Sequence, residues 1–137
     1  MSEKSADVEY RMTPPVEEAQ LEPLFEEGFV ASSAEGYARV FEHSLTWVGA
    51  FLDGELVGFV NVAWDGRSHA FIQDAVVSEK VRRRGVGIEL VRRAIAAARE
   101  AGVRWVHADY EPHLDSFWAK AGMLPTRARV AYLGGNR

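Results

Sequence analysis

The sequence predicts an α/β fold: a mixed, mostly antiparallel sheet with helices on both faces. Three observations lead there. Asp53-Gly54 and Asp65-Gly66 each stand between apolar runs, and Asp-Gly supplies the positive φ angles that a tight hairpin turn needs. Trp47–Leu52, Glu55–Trp64 and the strand ending at Val77 thus form an antiparallel meander. A single amphipathic helix then separates Phe71–Val77 from Arg104–Tyr110, which sets those two strands parallel through a right-handed crossover. Finally, helical patterns lie on either side of the meander, enough to cover both faces of the sheet. The 137 residues show no internal repeat, low-complexity tract or linker, so one domain spanning 1–137 is expected.

Taken from the N-terminus, residues 1–6 are polar and expected to fray. Val8–Met12 reads as a short first strand. Thr13 can cap a helix with Pro14 at its first position and Glu17 and Glu18 near the positive end of the dipole; Pro23 is expected to end or kink it. Ser32-x-x-Glu35 is a capping-box pattern, followed by the one-face stripe Tyr37, Val40 and Phe41. The aromatics Phe25, Phe29, Tyr37 and Phe41 read mainly as core. Beyond the meander and the crossover helix, Arg104–Tyr110 has the composition of a buried strand. Leu114, Phe117, Trp118 and Ala121 then make a helical stripe that Gly122 ends, and Arg127–Leu133 alternates enough for a final strand.

The stretch Val81–Gly102, VRRRGVGIELVRRAIAAAREAG, is the one around which the rest is organised. Arg82, Arg83 and Arg84 run through Gly85-Val86-Gly87 directly into a helix. Leu90, Val91, Ala94, Ile95 and Ala98 share one face of it, Glu89 and Arg93 pair on the other, and Gly102 closes it. A helix start offers unpaired N–H groups and the positive end of the dipole, and glycine lets a ligand approach the backbone. Flanking arginines make this an anion site suited to phosphate or pyrophosphate. A P-loop is excluded by the absence of Gly-Lys-Ser/Thr. A dinucleotide fingerprint has Asp109 near the ribose-binding position, but it lacks the third glycine, since Leu90 stands there. A solvated basic loop with two turn glycines is the plain alternative.

Composition limits the classes. A hydrophobic fraction of 47% with 26% charged residues is that of a soluble globular protein, and no run reaches the length of a membrane span. The N-terminus lacks the apolar core of a signal peptide, which makes the cytoplasm the expected location. Zero cysteines excludes disulfides, thiolate metal sites and a cysteine nucleophile; a net charge of −4 argues against nucleic acid. Histidines 43, 69, 107 and 113 match no ligand spacing, so no metal is expected.

The strand Phe71–Val77, then Arg82-x-x-Gly85-x-Gly87, then an amphipathic helix resembles motif A of the GNAT superfamily of N-acetyltransferases, which reads Gln/Arg-x-x-Gly-x-Gly/Ala. After the next strand, Phe117-Trp118-x-x-x-Gly122-Met123 is similar to that family's Phe-Tyr-x-x-x-Gly-Phe signature. The resemblance runs from about Phe71 to Met123 and is only topological before that. It implies a GNAT-like sheet whose central parallel pair splays at the cofactor site, and two helices after the first strand that help roof the acceptor pocket. It implies acetyl-CoA as cosubstrate, with Arg82, Arg83, Arg84, Gly85, Val86 and Gly87 at the pyrophosphate and the pantetheine along Val76 and Val77. A backbone N–H near Val76 would then stabilise charge on the thioester oxygen. Transfer is expected to be direct, to a small-molecule or peptide amine, with a homodimer as one option.

Catalytic candidates follow from the need to deprotonate that amine. Asp74 lies in the strand before the motif, where the family often has an acid for structural reasons. Glu111 departs from the asparagine usual there, and could be a base, a substrate anchor or a helix cap. Trp118 stands where the family usually has tyrosine. Its indole N–H is not acidic enough to protonate a leaving thiolate, so it either hydrogen-bonds the sulfur or packs with Leu114 and Phe117. These departures also leave a noncatalytic acyl-CoA-binding or regulatory domain as the alternative.

Overall fold

Asp53 and Gly54 take φ angles of 49° and 81° in the computed structural model, which describes residues 7–135, and so form the tight turn their sequence calls for. That turn joins β2 (Ser44–Leu52) to β3 (Glu55–Trp64). β1 (Glu9–Met12) pairs antiparallel with β2, β4 (His69–Val77) antiparallel with β3, and β5 (Trp105–His107) parallel with β4. The five strands stand in chain order, with the parallel pair at one edge. The expectation that residues 1–6 fray lies outside the described residues.

Alternation along the strands feeds two separate cores. Val48 and Ala50 of β2, Val60 and Val62 of β3, and Ala70 and Ile72 of β4 bury one face. Against it packs α3 (Val86–Glu100) through Leu90, Val91, Ala94 and Ala98, the predicted stripe. Gly102 takes φ of 85° past its end, and the Val103 N–H reaches the Ala98 carbonyl at 3.0 Å, a Schellman closure. The other face carries Phe51, Leu56, Phe59 and Val76, covered by α1 (Glu18–Glu27) and α2 (Tyr37–Glu42). α4 (Asp115–Lys120) follows β5 and sends Trp118 and its neighbour Ala121 into the α3-side core.

Several local expectations are corrected. α1 starts at Glu18, not after Thr13, because Thr13 and Pro14 are spent on the sheet. The Thr13 hydroxyl lies 2.7 Å from that of Thr46, and the Pro14 carbonyl accepts the Trp47 indole N–H at 2.7 Å. The Gln20 side chain, not a threonine, serves the new helix start by accepting the Glu17 N–H. Pro23 sits inside α1 without ending it. An interior proline costs about 3 kcal/mol, but each large apolar side chain buried returns about 1.5–3 kcal/mol, and Leu21, Leu24 and Phe25 are all buried. The Ser32 capping box does not form: Gly36, at φ 75°, precedes α2, and Ser32 is used elsewhere. Phe29 is 93% exposed at φ 56°, so it leaves the core aromatics.

Asp65-Gly66 opens a longer loop rather than a two-residue turn. Asp65 Oδ1 accepts the N–H groups of Arg67, Ser68 and His69 at 2.7–3.1 Å, and these bonds hold its carboxyl below the usual aspartate range. β5 is three residues rather than seven, and Trp105 is 61% exposed. Among the described residues of 127–133 there is no strand, and Val130, Tyr132 and Leu133 are exposed. The edge strand β5 is only three residues long and offers little ladder to extend, so alternation alone does not make a strand there.

Candidate active site

β4 carries an extra residue at its middle. Gln73 pairs with Asn61 and Val76 with Phe59, so Val60 alone faces both Asp74 and Ala75. Such a bulge bends and twists a strand, re-aiming the side chains beyond it. Asp74 takes φ of 56° there, a left-handed conformation that aspartate tolerates better than most residues. Two hydroxyls hold its carboxylate: Ser32 donates to Oδ1 at 2.7 Å and Tyr37 to Oδ2 at 2.6 Å. Tyr37 is 2% exposed and meets Phe25, Phe41 and Phe59 edge-on. Burial first, then the charge and hydrogen bond of Asp74, push its phenol well above the usual tyrosine range. Each Asp74 oxygen keeps a lone pair for a further donor.

Beyond the bulge the sheet opens. The parallel ladder joins His69 to Trp105, Ala70 to Val106 and Phe71 to His107, and there it ends. From Gln73 onward, β4 has no strand on that side. A cleft of about 160 Å³ fills part of the gap, lined by Ala75, Val76 and Val77 of β4, Gly87 of α3, and Phe117 and Trp118 of α4. Val76, Val77, Gly87 and Trp118, far apart in sequence, thus share one wall.

The helix start adjoins this cleft. Gly85 at φ 77° precedes α3, Arg83 at φ 67° sits two residues earlier, and Val86, 2% exposed, anchors the first turn in the core. Glu89 is the first residue whose N–H finds a backbone carbonyl, that of Gly85 at 3.1 Å. Among the described residues the N–H groups of Val86, Gly87 and Ile88 find no backbone carbonyl, the usual state of a first turn. Arg82 Nε donates to the Val77 carbonyl at 3.4 Å, tying the loop to the end of β4, and pairs with Glu79 at 3.8 Å. The side chains of Arg82, Arg83 and Arg84 are exposed. Gly87 is needed for space as well as for the helix start, since a Cβ there would stand 3.0 Å from the Phe117 ring. Nothing in the spacing of the two motifs announced that contact.

Trp118 is 6% exposed, and its Nε1 is buried with no hydrogen-bond partner among the described residues. The ring stacks on Tyr110 at 5.7 Å and 18°, and meets Phe117 edge-on at 5.2 Å and 83°. Tyr110 donates its hydroxyl to Asp115 at 2.7 Å, which raises its phenol. A second cleft of about 460 Å³ lies on the Tyr110 side, lined also by Phe71, Gln73, His107 and Arg129. The stacked pair therefore stands between the two clefts, Trp118 lining one and Tyr110 the other. Two further hollows border Pro23 and Glu27 of α1, and one of them reaches Ser78 and Lys80 after β4.

Glu111 is not brought to either cleft. It is exposed past β5, its carbonyl accepts the Leu114 N–H at 2.8 Å, and its carboxylate has no partner among the described residues. His69 Nδ1 and His107 Nε2 lie 2.9 Å apart, and His107 stacks on Phe71 at 4.7 Å. No group of three potential metal ligands occurs among the described residues, and no described helix is long and apolar enough to cross a membrane.

A model of the acetyltransferase (GNAT) family matches residues 10–123. The chain is 33% identical over 106 residues to mycothiol acetyltransferase of Nocardia farcinica, covering 71% of this chain and 35% of that protein. It is 32% identical over 118 residues to glucosamine 6-phosphate N-acetyltransferase 1 of rice (Oryza sativa subsp. japonica), covering 86% and 70%. The chain thus spans only about a third of the mycothiol acetyltransferase. Among solved structures, a protein from Deinococcus radiodurans superposes with a TM-score of 0.78 at 28% identity, over 97% of this chain and 94% of that one. An aminoglycoside N-acetyltransferase in complex with CoA superposes with a TM-score of 0.74 at 17% identity, over 98% and 99%, a likeness of fold.

Proposed function

The chain belongs to the acetyltransferase (GNAT) family, and from that premise we propose that it transfers an acetyl group from acetyl-CoA directly to an amine. The observation that carries the reading is the joining of a free helix start to an apolar cleft in an opened sheet. The unpaired N–H groups at Val86 and Gly87, after Gly85 and with Arg82, Arg83 and Arg84 beside them, suit a pyrophosphate. The free edge of β4 at Val76 and Val77 suits an amide-bearing arm that hydrogen-bonds like a strand. Trp118, 6% exposed, closes the inner wall of the cleft with its ring.

Acetyl-CoA supplies the activated thioester; the chain supplies position and proton handling. An amine with a pKa of about 10 must lose a proton before it attacks. We assign that step to Asp74, whose neighbour Ala75 lines the cleft and whose clamp by Ser32 and Tyr37 fixes the carboxylate without using up its lone pairs. Glu111, exposed and next to Tyr110 of the second cleft, is the other candidate for this step. The acceptor enters through the 460 Å³ cleft and reaches the thioester past the Tyr110–Trp118 pair. The names of the relatives favour a small-molecule amine. The reading keeps one domain, a cytoplasmic site of action and, as one arrangement to examine by light scattering, a homodimer.

CoA should raise the melting temperature by mass action, and acetyl-CoA with a panel of amines should release free thiol. Gly87→Glu should abolish the thermal shift, because it places bulk and negative charge at the phosphate end and against Phe117. Unchanged CoA affinity in a folded Gly87→Glu protein would remove the cofactor assignment. Binding without thiol release from any amine would favour the noncatalytic alternative.

A further inference from the structure

α1 ends on a residue that its own helix does not favour. Glu26 and Glu27 stand in its last turn, at the negative end of the dipole, with no basic residue among them. The half-buried Glu27 finds its partners 51 and 52 residues on, in the turn that leaves β4. Its Oε2 accepts the Glu79 N–H, and its Oε1 accepts the Ser78 hydroxyl at 3.4 Å. The next residue, Gly28, lies so near β4 that an added Cβ would stand 2.3 Å from Val76 Cγ2. The end of α1 is thus seated on the end of β4, with the Glu27 carboxylate on the chain beyond.

That chain is the loop that carries Arg82, Arg83 and Arg84 to the start of α3. Its first turn is compact. Ser78 is 4% exposed and accepts the Lys80 N–H at 3.2 Å, Val81 is fully buried, and Arg82 Nε reaches the Val77 carbonyl at 3.4 Å. Arg83 then takes φ of 67°, a left-handed conformation that a long side chain keeps only where the flanking chain imposes it. On one side the flank is α3, anchored in the core by Val86. On the other it is the turn that Glu27 holds.

Resting on the acetyl-CoA reading, we propose that Glu27 is a positioning residue for the donor: by fixing the first turn of the arginine loop it sets Arg82, Arg83 and Arg84 toward a pyrophosphate at the N–H groups of Val86 and Gly87. Glu27 does not meet the phosphates in this role, since its charge has the wrong sign. Its action passes through the Glu79 N–H bond. A carboxylate makes that bond stronger than a neutral acceptor would. A loop ordered before the ligand arrives loses less freedom on binding, and the difference appears as affinity. This also accounts for a carboxylate at the unfavourable end of α1: its partner lies in another element.

The test is CoA binding to the full chain, by calorimetry and by ³¹P nuclear magnetic resonance. Glu27→Ala removes the acceptor, and Glu27→Asp keeps the charge but draws it back by one methylene. Both should weaken CoA about 5- to 20-fold, the lower part of what a bond to a charged group is worth. At saturating CoA the diphosphate resonances should move less than they do in the wild type. Glu27→Gln keeps an oxygen for the Glu79 N–H and should recover most of the affinity and of the shift. Circular dichroism checks folding, and if Glu27→Ala does not fold, Glu27→Asp against Glu27→Gln decides. If Glu27→Ala and Glu27→Asp bind CoA as tightly as the wild type or more so, or if Glu27→Gln is as weak as they are, the positioning role is refuted and the cofactor assignment stands. If the wild type does not bind CoA, the acetyl-CoA reading falls and takes this one with it.

Discussion

Tyr37→Phe isolates what holds Asp74 at the bulge. The substitution keeps the ring that packs against Phe25, Phe41 and Phe59, and deletes only the hydroxyl lying 2.6 Å from Asp74 Oδ2. A hydrogen bond to an ionised acceptor contributes about 1.5–3 kcal/mol. Asp74 is half-buried, which places the expected loss at neutral pH in the lower part of that range, about 1.5–2 kcal/mol. The pH dependence adds an independent signature. Burial and the Asp74 charge raise the folded-state pKa of Tyr37 above its unfolded value of 10.0, so its contribution is fully present below that pH. Above it the unfolded chain sheds a proton that the folded one retains, and stability falls by up to about 1.4 kcal/mol per pH unit. Phenylalanine has no such term. Urea unfolding of both proteins, followed by tryptophan fluorescence from about pH 7 to 11, should show a gap constant to about pH 10 and narrowing above it. Ionisations common to both proteins cancel in the difference. A gap that stays constant to the alkaline end would mean that Tyr37 titrates as an ordinary phenol. No gap at neutral pH would mean that the hydroxyl does not hold Asp74, and the clamp would be refuted.

Two further outcomes are expected. Because the chain has no cysteine and both clefts border one stacked pair, both substrates should be bound before chemistry; initial-rate plots should intersect, and parallel lines with a trapped acetyl-enzyme would show a covalent route. Gly28→Ala should destabilise by about 1–3 kcal/mol. Its Cβ would stand 2.3 Å from Val76 Cγ2, so the Val76 side chain, α1 or β4 must shift, and an unchanged urea midpoint would show that the end of α1 rests on β4 more loosely than the geometry says.

The meander, the crossover helix and its glycine-led start were legible in the sequence because each rests on a local rule. Positive φ at Asp53 and Gly54, the apolar stripe of α3, and Gly85 ahead of unpaired N–H groups all depend on a few neighbouring residues. The membership of Val76, Val77, Gly87 and Trp118 in one site was reached through resemblance of motifs, and the splay that joins them is a matter of where a ladder stops. What misled was also local. Thr13 and Ser32 are good caps in isolation, but their hydroxyls gain more from Thr46 and Asp74, partners 33 and 42 residues away. Pro23 breaks a helix only when nothing larger opposes it, and here a buried stripe does.

By itself, then, the sequence determined the order of the elements from the first strand to the last helix, the glycine-led start of α3 and the absence of a cysteine nucleophile, since periodicity, capping chemistry and composition need no third dimension. Only the tertiary structure decided that Asp74 sits at a bulge under two hydroxyls, that Phe117 closes over Gly87, and that the Trp118 N–H is buried without a partner among the described residues. Each of these depends on side chains tens of residues apart being forced into one low-dielectric space. There a hydrogen bond met or unmet, of little consequence in an open chain, carries a large free energy.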